Sequence, residues 1–123
     1  MVKAVEKSQQ KQLILHYKQV WLPEYPALRV TMVNNDGLKH IIDAVEDVRM
    51  GLEKGHPDLI WRLKYNKHYY FLYHELKKLK GALSPAQKDW WADFTPTEYV
   101  SGIVTYGWNE HLQAVQNWLK DFT

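Results

Sequence analysis

The chain has 123 residues, 46% of them hydrophobic, with no cysteine and a formal net charge of +2. That length fits one domain able to bury a core without crosslinks, and the missing cysteines exclude disulfides and thiolate-held zinc. No apolar run approaches the ~18 residues of a membrane span, and the N-terminal MVKAVEKSQQKQ lacks the apolar core of a signal peptide, so a cytoplasmic protein is expected.

In chain order, Val5 to Trp21 predicts a helix. Leu13, Ile14, Tyr17 and Trp21 form its apolar stripe, which Gln10 and Glu6 extend toward the N-terminus. Pro23 and Pro26 are expected to stop it. Leu28 to Val33 is rich in β-branched residues and predicts a short strand; the NNDG of Asn34 to Gly37 predicts a turn. His40 to Leu52 carries Ile41, Val45, Val48 and Leu52 at helical spacing, and Gly55 and Pro57 close that helix. Asp58 to Lys64 and His68 to Leu76 predict the two arms of a hairpin. Ser84 as N-cap and Pro85 at the first helical position open a third helix. Val100 to Tyr106 predicts a buried strand. Asn109 to Lys120 predicts a closing helix with Leu112, Val115 and Leu119 on its inner face. The expected fold is one α/β domain over residues 1–123, a small mixed sheet flanked by helices in the order α-β-α-β-β-α-β-α.

The hairpin concentrates the chemistry. Asn66-Lys67 suits a two-residue turn, because Asn tolerates positive φ. That register pairs Tyr65 with His68 and, counted outward, Asp58 with Glu75. Opposed residues share a face with Cβ atoms ~4.5–5.5 Å apart. Lys77 lies on that face too, ~7 Å further along. Two carboxylates that close repel, so one takes a proton or a cation lies between them. Hard oxygen donors suit Mg²⁺ or Mn²⁺, which polarise a phosphoryl oxygen and acidify a bound water. On spacing alone, a strand-end ion pair of Glu75 with Lys77 is the commoner outcome. A one-residue slip would also move Asp58 to the other face.

Three motifs in order narrow the choice: GHPD (Gly55 to Asp58) before a strand, ELK (Glu75 to Lys77) at the end of the next, and LSPAQ (Leu83 to Gln87) opening a helix. In this order and spacing they resemble the virus-type replication-repair nuclease (VRR-NUC) domain of the PD-(D/E)xK nuclease superfamily, from the first helix to about Trp118. The resemblance implies a restriction-endonuclease-like fold and a metal-dependent DNA endonuclease using Mg²⁺ or Mn²⁺. It implies that Asp58 and Glu75 bind the metal with the carbonyl of Leu76, that Lys77 is the catalytic lysine, and that Gln87 supports the site or touches DNA. The superfamily often adds an acid on its first helix. Gln10 occupies that position here, with Glu6 one turn earlier, which leaves a second metal open. Short stand-alone domains of this kind resemble resolvases that cut four-way (Holliday) junctions as homodimers, in bacterial or phage-infected cells. A flap or general DNA nuclease, or a DNA-binding protein with a vestigial site, are the alternatives.

From Arg62 to Lys80 six basic residues face Glu75 alone, a local charge of +5. This fits either a solvated hairpin or phosphate contacts, with Lys78 and Lys80 as candidate DNA-binding residues beside the site. The six histidines show no metal-ligand spacing. His74 is expected on the face opposite Glu75, and a phosphate could approach His56. Trp90, Trp91 and the tyrosines fit core or interface packing better than base stacking.

Overall fold

The computed structural model describes residues 2–33 and 55–123. The predicted helix over His40 to Leu52 lies outside the described residues, as does the NNDG turn. Among the described residues the order is α-β-β-β-α-β-α.

The first helix, α1 (Val2–His16), continues through a π-helical turn at Tyr17–Trp21 and a last α-turn at Leu22–Glu24. It therefore passes Pro23 instead of stopping before it. A proline ring clashes with the carbonyl four residues back, here that of Gln19. Gln19 lies in the π turn, where the Leu22 N–H reaches back five residues to the Tyr17 carbonyl. The wider turn makes room for the ring. Tyr25 leaves helical geometry ahead of Pro26, as a residue before proline tends to do.

Four strands form one mixed sheet: β1 (Leu28–Met32), β2 (Leu59–Tyr65), β3 (His68–Lys77) and β4 (Val100–Tyr106), in the order β1-β2-β3-β4. The β1–β2 and β2–β3 pairs are antiparallel and β3–β4 is parallel. Between β2 and β3, Asn66 (φ 50°) and Lys67 (φ 70°) make the two-residue turn with both residues left-handed. The pairing runs from Tyr65 with His68 to Leu59 with His74, the register expected from the turn. It directs Asp58, just ahead of β2, toward Glu75.

One face of the sheet carries the core. Leu13, Tyr17 and Trp21 of the first helical run, with Val115, Trp118 and Leu119 of α3 (Trp108–Lys120), pack on Leu28, Leu59, Trp61, Leu63, Leu72 and Leu76. Trp61 is fully buried, edge-on to Tyr17 and Trp21. The other face is partly covered by α2 (Pro85–Asp93) and the residue after it. Trp91 and Phe94 lie so close to Gly102 that a Cβ there would come 2.6 Å from one ring and 2.8 Å from the other. β4 is an edge strand, not the buried strand expected: Ile103 is 37% exposed and most of its residues are half-buried. Its β-branched run signals a strand but not its place in the sheet.

Candidate active site

Asp58 is placed by the residues around it. Gly55 adopts φ +77° with its backbone against α2, where a Cβ would run into the Ala86 carbonyl; only glycine fits both demands. Pro57 is buried. The Asp58 carbonyl accepts from Val33 N–H at 2.8 Å, beyond the end of β1. Its carboxylate Oδ2 accepts from Leu76 N–H at 2.8 Å, closing the hairpin end with a side chain where β2 has run out.

Glu75 and Lys77 project from the last turn of alternation in β3, on the α2 side of the sheet. Both are buried, at 1% and 7% exposure. Burial pushes the Glu75 carboxyl up to about 10, the adjacent Asp58 carboxylate adds to the shift, and Lys77 opposes it. Glu75 Oε1 is buried and accepts no hydrogen bond. Gln87 ties the pair together. Its Nε2 donates to Glu75 Oε2 at 3.3 Å, and its Oε1 accepts from Lys77 Nζ at 3.4 Å. The same Oε1 accepts from Ser84 N–H at 2.8 Å, while Ser84 Oγ accepts from Gln87 N–H at 3.2 Å. The capping box that starts α2 thus also holds the amide at the site.

Glu6 is the α1 residue that reaches this group. Its Oε2 is 3.7 Å from Lys77 Nζ and accepts from Lys78 N–H at 3.1 Å. Gln10 does not join it; its amide donates to Met32 Sδ at 3.3 Å. Both lie on one stripe, so spacing could not choose between them. Lys80 (φ 64°) sits exposed in the following loop, and Lys78 is half-buried.

The donor set fits a hard divalent cation. Two carboxylates lie side by side, and one has a buried oxygen with no hydrogen-bond donor. The Leu76 carbonyl points to the same side as its N–H, toward Asp58. Its opposite residue in the register, Pro57, has no N–H to offer it. Among the described residues no three acidic or histidine side chains converge on one point, so a backbone carbonyl is the third protein donor at hand.

The core face beneath holds a polar chain that sequence reading missed. Trp61 Nε1–H donates to His74 Nδ1 at 3.2 Å; His74 Nε2 meets Thr105 Oγ1 at 2.7 Å; Thr105 Oγ1 meets His111 Nδ1 at 2.6 Å; His111 Nε2 meets Gln9 Oε1 at 2.9 Å. The indole N–H fixes the direction of every later donor, and both histidines are neutral. Burial lowers His74 to about 3 and His111 to about 4. Alternation placed His74 opposite Glu75, as observed, but gave no hint of its partners. His56 Nδ1 lies 2.9 Å from the Pro57 carbonyl, with its ring against Tyr73 and Trp90.

Comparison with the curated proteins returns no match. Among solved structures, a "VRR_NUC domain protein" superposes with a TM-score of 0.64 over 94% of this chain and 88% of that one, at 24% identity, which shows the shared fold. The family model for the VRR-NUC domain matches residues 2–105, a span that runs from α1 to β4 and takes in Asp58, Glu75, Lys77 and Gln87. The chain therefore belongs to the VRR-NUC family of nuclease domains.

Proposed function

We propose that the protein is a Mg²⁺- or Mn²⁺-dependent DNA endonuclease with its active site at Asp58, Glu75 and Lys77. The observation that carries this reading is the hairpin register, which brings two carboxylates and a lysine to one end of one sheet face. Asp58, Glu75 and the Leu76 carbonyl would hold the metal, which when bound supplies Lewis-acid polarisation and an acidified water. Lys77, steered by Gln87 and Glu6, orients the attacking water and balances charge gathering on the phosphate. Gln87 keeps the Glu75 carboxylate turned toward Asp58. The finer proposal is cleavage of four-way junctions by a homodimer, supported by the likeness to short resolvases.

A cleavage assay on labelled duplex, flap, splayed and four-way DNAs with Mg²⁺ or Mn²⁺ tests both levels. Lys77→Ala is expected to lower the rate by about 10²–10³-fold, as removing one charge-stabilising group does, with the fold intact by circular dichroism. A Lys77→Ala protein as fast as the parent would remove the mechanism. Linear duplex cut as readily as the junction would remove the resolvase reading and leave a general nuclease.

A further inference from the structure

The face that holds Asp58, Glu75 and Lys77 continues toward the hairpin turn. By alternation it presents Arg62 and Lys64 on β2 and Tyr69 on β3, with Lys64 directly opposite Tyr69. All three are exposed. The Arg62 guanidinium lies 5.2 Å and the Lys64 ammonium 5.7 Å from the Tyr69 ring centroid, within cation–π range. Arg29 on β1 is directly opposite Arg62. Its Nη1 donates to the Pro26 and Leu28 carbonyls at 2.8 Å each, which anchors the guanidinium without neutralising it. Among the described residues no carboxylate pairs with Arg62 or Lys64.

Opposed like charges on neighbouring strands are destabilising, and protection of an exposed edge does not account for these. Lysines guard edge strands, whereas β2 lies between β1 and β3. A row of cations that no carboxylate among the described residues neutralises, held in place by an aromatic ring, is complementary to a polyanion. The spacing indicates which one. Arg62 is four residues from Asp58 and Lys64 six, ~13 Å and ~20 Å along the strand. Duplex DNA repeats every ~3.4 Å per strand, so Lys64 stands ~6 base pairs from the metal-binding carboxylates.

We propose that Arg62 and Lys64, steadied by Tyr69 and backed by Arg29, hold the phosphate backbone of the DNA arm that runs from the cut toward the hairpin turn. This rests on the nuclease reading of the site. It differs from Lys78 and Lys80, which lie past the catalytic lysine at the other end of β3.

The test is binding of a labelled junction in EDTA at 50 to 200 mM salt, and its cleavage with Mg²⁺ or Mn²⁺, by the parent, Arg62→Gln/Lys64→Gln and Lys18→Gln. Lys18 is exposed and lies on the first helical run, so its variant controls for loss of a positive charge away from this face. Losing two phosphate contacts lowers the slope of log affinity against log salt by about 1.8. The parent's advantage over the double variant therefore grows about tenfold from 200 to 50 mM. Lys18→Gln keeps the parent's slope. Neutralising the arm phosphates from the fourth base pair outward as methylphosphonates abolishes the difference between parent and double variant. The double variant should unfold at a temperature no lower than the parent's, since the changed side chains are exposed and the repulsion between Arg29 and Arg62 is relieved. A parental slope in the double variant, or an equal deficit on arms with neutralised phosphates, overturns the proposal while leaving the nuclease intact. A parent that neither binds nor cuts DNA removes the nuclease reading and this surface with it.

Discussion

Among the described residues Glu75 is the carboxyl that burial perturbs most. Its carboxyl is 1% exposed, and burial and Asp58 raise it to about 10 from an ordinary value of 4.5. The sign of the consequence follows from linkage. Below pH 4.5 folded and unfolded chains both hold the proton, and nothing is lost. Above it the unfolded chain releases the proton while the folded chain keeps it, so stability falls as pH rises from about 4.5 toward 10. In EDTA the parent is expected to melt at a lower temperature at pH 8 than at pH 5.5, and Glu75→Gln is expected to remove most of that dependence. Mg²⁺ or Mn²⁺ should raise the parent's melting point most at the alkaline end, because the cation displaces the proton. Thermal melts across pH decide it; a parent and Glu75→Gln with parallel profiles would place the strain elsewhere. At this scale the sequence was most informative about the hairpin. Asn66 sets a turn that allows one register, and that register joins Asp58 to Glu75 across 17 positions. Glu6 was less legible. It shares a stripe with Gln10, and only the seating of α1 on the sheet shows which residue meets Lys77.

Helix α2 does two jobs with one set of atoms. Its capping box spends the Gln87 side chain on the Ser84 N–H, and the same amide bridges Glu75 and Lys77. Its first turn also packs on Gly55, the left-handed residue that launches the Asp58 segment. Gly55→Ala is expected to cost at least about 1–3 kcal/mol, since it adds a residue strained at positive φ to an overpacked contact with backbone. Because both walls of the site meet at that contact, cleavage should fall as well at temperatures where the variant is still folded. Chemical denaturation with a parallel activity assay measures both; a variant as stable and as active as the parent would show that the segment is not held by α2. The LSPAQ motif announced this helix and its cap from sequence, because capping is local chemistry. The end of the first helix was not legible in the same way. Pro23 is a local stop signal, and a π turn overrides it to keep Trp21 in the core against Trp61. Nor could the buried chain from Trp61 to Gln9 be read ahead, because it links four separate elements and α1 through contacts that no single segment encodes.

At the scale of the whole molecule, the described residues build one sheet with helices on both faces, and no helix among them is long and apolar enough to cross a membrane. Among the described residues one chain holds one such carboxylate pair, so on the proposed mechanism one chain would deliver one nick. A four-way junction needs two nicks placed symmetrically, and a two-fold dimer presents two identical sites to a substrate of matching symmetry. The cation row on β2 bears on this as well. It would guide a single arm away from each cut, so two chains would hold two arms, and the spacing between sites would be set by the protein interface. The expected outcome of sedimentation equilibrium at micromolar protein is therefore a mass twice the 14.6 kDa of the chain. The same solution should bind one junction per dimer, and purified heterodimers of a parent and a differently tagged Lys77→Ala subunit should yield junctions nicked on one strand only. A monomer at those concentrations, or paired cuts from the mixed dimer, would separate the nuclease chemistry from the resolvase assembly and leave a protein that cuts one strand at a time.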